Sequence, residues 1–309
     1  MVHAPVWRHS PPRVAARLCT TCPPTVESYF RRLERLIELQ HEYPGETFYV
    51  LEDDDIRARG ERIEHALVTA VCGYLALGLE ECKTVLCRTV DVPQAFQALW
   101  TLDRIQPRHR ARSRRTALRV TPSMMFGTTC VLVRATTMAA TPADMAAVEH
   151  ARRTTAIVNA VATRSVLGAP AVRLVADRSR CVRTNDTVPL SPFDSRPVLE
   201  RQLLESWTAA EARQQTASVR SAWLRLATSL GMPDATELFS RPARSSTPRG
   251  IAERIAAAVE ARFGQAADRY DELLRTPGYV RDLLAEGAQL AGEQAAVTLG
   301  AMRDAVGEG

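Results

Sequence analysis

The chain has 309 residues, 40 basic against 35 acidic side chains, a net charge of +5 and 46% hydrophobic residues. That is the composition of a globular protein of one large or two ordinary domains, with enough apolar content for a proper core. Every basic residue except Lys83 is arginine, which excludes a Schiff-base lysine, a P-loop lysine or a catalytic ammonium unless Lys83 supplies it.

Nothing approaches the roughly 18 consecutive apolar residues of a spanning helix, so no membrane partner is expected. The opening stretch MVHAPVWRHSPPRVAARL has no apolar core of a secretion signal. Seven cysteines, an odd number, point to reduced thiols and a cytoplasmic setting.

In chain order, Arg13 to Thr20 reads as a short strand. Val26 to Glu42 reads as an amphipathic helix with Leu33, Leu36, Ile37 and Leu39 on one face. TFYVL at Thr47 to Leu51 is β-branched and aromatic, hence a second strand. An apolar-periodic helix runs from about Ile63 towards Leu79 and ends at Gly78; TVLCRT at Thr84 to Thr89 is a third strand. Pro93 opens a helix reaching Leu102. Arg104 to Arg119 breaks the pattern, with seven arginines, one histidine and no apolar stripe. Helices follow at Met124 to Ala135 and Asp144 to Thr163, then a returning strand at Ala171 to Val175 and a loop carrying Arg178, Arg180 and Arg183. From Arg196 the pattern is helical, broken at Gly231-Met232-Pro233 and by a Ser/Pro-rich linker, Ser240 to Gly250. Strands spaced by helices imply parallel pairing, so the expected fold is an α/β parallel sheet followed by a helical domain.

The segment YFRRLERLIELQHEY (Tyr29 to Tyr43) resembles the first helix of bacterial tryptophanyl-tRNA synthetases. The likeness continues through TFYVLED, GYLALGLE (Gly73 to Glu80), KTVL (Lys83 to Leu86) and VPQAFQALWTL (Val92 to Leu102). It is densest in ELLRTPGYVRDLLAEGAQLAGEQAAVTLGAMRDAVG, Glu272 to Gly307. The resemblance implies a class I synthetase fold: an extension at 1–12, a Rossmann-like catalytic-type domain at 13–192 and an anticodon-binding-like helical domain at 193–309. It also implies a homodimer that activates tryptophan with ATP and reads tRNA.

The sites that the resemblance would place here are altered. Where the family opens its first helix with Thr or His, an apolar residue, Gly and Asn, this chain has Thr25, Val26, Glu27 and Ser28. The family glycine leaves room for adenine at bare backbone, and the first polar residue meets phosphate at the helix start. Glu27 brings bulk and negative charge there, so ATP binding is doubtful. Thr25 is open to two readings, phosphate contact or a plain N-cap. The family's lysine-rich pyrophosphate loop maps to Cys181 to Asp186, with Arg183 and Asp186 as remnants and neither lysine present; a guanidinium is not a drop-in replacement for a mobile ammonium. The tryptophan pocket maps to Gly127, Cys130, Val131, Asp144 and Met145. Cys130 stands where the family has the carboxylate that accepts the indole N–H, and a thiol is a weak acceptor. Asp144 reads either as a pocket residue or as a helix cap.

Other signals are weaker. Cys19-x-x-Cys22 has metal or redox spacing but no second pair, so no metal is expected. Glu52-Asp53-Asp54-Asp55 reads as a cation loop or a solvated helix start. Arg108, Arg110, Arg112, Arg114 and Arg115 are candidates for RNA phosphate contact, without the interleaved aromatics that signal base stacking. The expectation is a synthetase-like paralogue that has lost ordinary tryptophan activation and works by binding tRNA, other RNA or a partner enzyme. The alternative is a repurposed amino-acid-activating or acyl-transferring enzyme of specialised metabolism, its small-molecule ligand unknown.

Overall fold

The computed structural model describes residues 12–20, 23–43, 47–52, 63–105, 120–162, 167–168, 170–174, 189–240 and 247–307. Five parallel strands, β1 (Val14–Cys19), β2 (Thr47–Glu52), β3 (Thr84–Arg88), β4 (Thr137–Ala140) and β5 (Ala171–Leu174), lie in the order β3-β2-β1-β4-β5. Strand β1 pairs with β2 from Val14 opposite Thr47 to Cys19 opposite Glu52, and with β4 from Val14 opposite Thr137.

Alternation along these strands sorts side chains to two buried faces. Val14, Ala16, Leu18, Tyr49, Leu51 and Leu86 join one cluster; Ala15, Phe48, Val50 and Cys87 join the other. Helices α1 (residues 26–42) and α2 (Ile63–Ala76) cover the first face. Helices α3 (Pro93–Ile105), α4 (Pro122–Leu132) and α5 (Met145–Val161) cover the second. Helix α1 is continuous from an opening turn, Val26–Ser28, through a π turn, Tyr29–Leu33, into Glu34–Glu42. Leu33, Leu36 and Leu39 are buried and Ile37 packs against them half-buried, as the periodicity requires.

The structure refines several sequence boundaries. Helix α2 stops at Ala76, and Gly78 takes φ +115° in the turn that follows, a conformation glycine adopts without steric cost. Helix α4 ends at Leu132 rather than Ala135, because Arg134 turns left-handed and closes it. A short three-ten turn, Pro142–Asp144, precedes α5. Strand β4 has no counterpart in the sequence reading: four residues, TMAA, are too short to show a period.

Helices α6 (Arg196–Ala212), α7 (Thr216–Ser229), α8 (Ala235–Ser240), α9 (Pro248–Arg275) and α10 (Pro277–Val306) complete the chain. Helix α9 starts at Pro248, with the Thr247 hydroxyl accepting from Gly250 N at 3.2 Å, so Pro248 to Gly250 belong to the helix and not to the linker. Aromatic contacts tie these helices to the sheet layer: Tyr29 and Phe30 pack edge-on to Phe263 of α9, and Phe193 stacks on Tyr270 at 3.9 Å. Helix α10 crosses the edge of the sheet at β3. Val280 and Leu284 join the first cluster, Ala291, Ala295 and Leu299 the second. Gly287 sits at the crossing, where an added Cβ would stand 1.9 Å from Leu86 O. Among the described residues no helix is long and apolar enough to cross a membrane.

Candidate functional site

The order β3-β2-β1-β4-β5 reverses direction between β1 and β4. In doubly wound sheets the crevice outside the carboxyl ends of two such strands is where ligands bind. Four side chains that the fold brings to this crevice form a single network. Arg17, two residues before the end of β1, sets its Nε 2.7 Å from Asp144 Oδ1. The other Asp144 oxygen accepts from Thr141 N at 2.9 Å and Thr141 Oγ1 at 2.7 Å. Arg32, from the π turn of α1, donates through Nη2 to Arg17 O and stands 3.7 Å from Asp144 Oδ2. The Asp144 side chain is fully buried; the two arginine side chains keep about a fifth of their surface exposed.

Arg17 and Arg32 carry no motif and are absent from the sequence-derived candidates. The one available signal is an arginine inside the otherwise apolar VAARLC strand. Charged side chains inside a buried parallel strand are rare unless paired.

Of the nucleotide-signature residues, Thr25, Glu27 and Ser28 lie at the start of α1. Thr25 caps α1: its hydroxyl accepts from Ser28 N at 3.1 Å while Ser28 Oγ accepts from Thr25 N at 2.8 Å, a reciprocal box. Glu27 pairs with Arg31 one turn along the same helix. Arg183 and Asp186 lie outside the described residues, as do Arg108, Arg110, Arg112, Arg114 and Arg115, Arg178 and Arg180, Cys22, and Asp53 to Asp55.

The pocket candidates separate. Cys130 and Val131 are buried in the hydrophobic cluster between α4 and α5. Gly127 permits those helices to touch, since an added Cβ would lie 2.4 Å from Ala147 O. Met145 is exposed at the start of α5. Between the same helices Thr128 Oγ1 meets His150 Nε2 at 3.0 Å, and Thr154 Oγ1 is 3.5 Å away. Burial, with the nearby Arg153 guanidinium adding, holds His150 below its ordinary range. Lys83 lies at the amino-terminal edge of β3, the opposite edge of the sheet from the crevice, bound to Glu80 at 2.7 Å and His41 Nδ1 at 3.1 Å. Cys19 is half-buried at the end of β1. Among the described residues no group of three or more His, Cys, Asp or Glu could hold a metal ion.

Tryptophanyl-tRNA synthetase from Campylobacter jejuni superposes on this chain with a TM-score of 0.74, covering 96% of this chain and 99% of its own at 17% identity. The fold is that of a tryptophanyl-tRNA synthetase. The same Campylobacter jejuni enzyme complexed with ADP and tryptophan gives 0.73 at 17% identity. The Mycoplasma pneumoniae tryptophanyl-tRNA synthetase gives 0.66 at 13% identity, covering 96% of this chain and 98% of its own. No protein-family model matches the sequence, and no curated protein matches it. The synthetase fold thus extends over nearly the whole chain, helical region included, while side chains have diverged widely.

Proposed function

We propose that this protein is a tryptophanyl-tRNA synthetase-like paralogue that has given up ATP-dependent tryptophan activation and works by binding tRNA or other RNA. The observation that carries the reading is the crevice itself. Its buried carboxylate, Asp144, is taken up by Arg17 and Thr141, and two guanidinium groups, Arg17 and Arg32, crowd around it. Three further features support it. Thr25 is engaged as a cap, Glu27 brings a carboxylate to the helix start, and the sole lysine is at the far edge of the sheet. A pyrophosphate-releasing step needs cationic groups preorganised on the leaving group.

RNA is favoured as the partner by the arginine-rich sequence between α3 and α4 and by the helical region shared with the synthetase fold. We also infer that two copies pair through α3. Phe96 and Trp100, one turn apart on that helix, are 46% and 58% exposed, and adjoining apolar side chains on a surface mark interaction sites where single ones do not.

The test is a pyrophosphate-exchange assay across the amino acids beside filter retention of tRNA. The expected result is no tryptophan-dependent exchange, with tRNA held near ~50 mM salt and released near ~200 mM, since phosphate contacts are lost steeply with salt. Brisk exchange with tryptophan overturns the loss of activation. Failure to retain tRNA or other RNA at low salt overturns the RNA role and leaves a partner protein.

A further inference from the structure

Lys83 is the only lysine in the chain and hence its only side-chain amine. It closes the turn between α2 and β3, where its backbone N–H donates to Glu80 O at 3.0 Å. Reactive side chains meet at this turn, away from the crevice. Lys83 Nζ donates to Glu80 Oε2 at 2.7 Å and to Nδ1 of His41, in the last turn of α1, at 3.1 Å. An ammonium has no lone pair to offer, so His41 Nδ1 accepts and the neutral ring carries its hydrogen on Nε2. That nitrogen stands 3.7 Å from Glu80 Oε1. Cys82 is exposed, and its thiol donates at 3.9 Å to Glu80 Oε2, the oxygen that Lys83 already binds. Around this group, Tyr279 of α10 bonds to Glu81, and the charge of Arg269 on α9 acts on Glu80. Thiol and amine thus converge on one carboxylate oxygen, with an imidazole against the amine and the same carboxylate behind the imidazole. A nucleophile, a base within hydrogen-bond reach and a group that orients the base make up the arrangement of covalent chemistry. The pair is also at the surface, where ion pairs are weak, so Lys83 is readily released from Glu80.

We propose that Cys82 and Lys83 form an acyl-acceptor site for small acyl thioesters, loaded at sulfur and discharged to nitrogen. The Cys82 sulfur attacks the thioester carbonyl, a new carbon–sulfur bond forms, and the donor's sulfur leaves with the thiol proton. The Lys83 amine, one proton passed to His41, then attacks the carbonyl held on Cys82. An amide bond forms at Nζ and the bond to Cys82 breaks. Of the two protons that the ammonium gives up, one passes through His41 to water and the other returns Cys82 to the thiol. Glu80 is the positioning residue, gathering thiol and amine on one oxygen and facing the imidazolium with the other. The second step is intramolecular, and such proximity is worth a large gain in rate. The product has no ammonium, so modification breaks the bridge from Lys83 to Glu80.

Acetyl-coenzyme A incubated with the full chain tests this without ATP, tryptophan or RNA. Hydroxylamine then strips thioesters, and peptide mass spectrometry reads the amide at Lys83 against that at the α-amino group. The expected result is a hydroxylamine-resistant acetyl group on Lys83, formed at least ten-fold more slowly in Cys82→Ser. In His41→Gln the rate is expected to fall several-fold and to lose the rise with pH that the native chain shows across the imidazole range. Both substitutions are at the surface, and circular dichroism checks that the variants fold. In urea the native chain keeps Cys82 beside Lys83 but loses the approach of His41, and is expected to react at least ten-fold more slowly. No acetyl group on Lys83 overturns the site. A rate and pH profile unchanged in either folded variant overturns the relay, and an equal rate in urea overturns the part played by the fold.

Discussion

Arg134 shows what one residue can store in this fold. It holds φ +56° just past α4, where Ala135 N donates to Cys130 O at 2.9 Å and Arg134 N to Val131 O at 3.1 Å. This closing turn prefers glycine, because a Cβ in the left-handed region costs about 1–2 kcal/mol. The side chain offsets that cost by donating from Nε to Thr298 Oγ1 of α10 at 3.0 Å. Burial and the neighbouring Arg13 push the guanidinium below its ordinary range, so the contact is made at an electrostatic disadvantage. Arg134→Ala keeps the strain and loses the bond, whereas Arg134→Gly loses both. Urea unfolding is therefore expected to find the alanine variant less stable than the glycine variant by about 1 kcal/mol. Equal stability of the two would remove strain from the account. Arg17 teaches a related lesson about reading sequences. A lone arginine in VAARLC marks a position where something must be paired, but the sequence does not say with what. Asp144 is more than a hundred residues away, and only the adjacency of β1 and β4 brings the two together.

At the scale of elements, the α4–α5 pair carries a pH response. His150 lies between Thr128 and Thr154, and its imidazole is held below the ordinary 6.5 by burial first and by Arg153 second. The neutral ring is thus favoured in the folded state. As pH falls, the unfolded chain takes up the proton first, so the stability from this site is complete above about 6.5 and is lost progressively below it. The urea midpoint is expected to fall between about pH 7.5 and about pH 5.5, and to fall less in His150→Gln. An equal fall in both proteins would assign the acid sensitivity elsewhere. Periodicity and turn chemistry were enough to locate most of the elements, because helices such as α1, α3 and α9 bury one clear stripe. They were not enough for β4, whose four residues give too short a run, nor for the π turn, where Tyr29 and Phe30 both reach Phe263. Of the candidate site, Asp144 and the cap at Thr25 were visible as local motifs. The arginines that complete the crevice were not, since their meaning is entirely tertiary.

Across the whole molecule, the exposed pair Phe96 and Trp100 bears on assembly. Arg104 lies over the Trp100 ring at 4.8 Å, a contact that keeps the indole in place on the surface of α3. Light scattering is expected to report a dimer for the native chain and a monomer for the double variant Phe96→Ser, Trp100→Glu, with unchanged helical content. A native monomer would overturn the pairing. The helical region is not a pendant module: Leu203, Val259 and Leu284 share a single buried cluster with Leu18 and Leu51 of the sheet. Helix α10 seals β3, the edge strand, by passing over it at Gly287. Edge strands left open recruit other chains. On the ribosome, Leu86 emerges long before Gly287, and pairings between such distant segments form late. Throughout that interval the growing polypeptide carries a bare sheet margin. Synthesis itself becomes the dangerous period in this protein's life, and the close of α10 is the moment at which it ends.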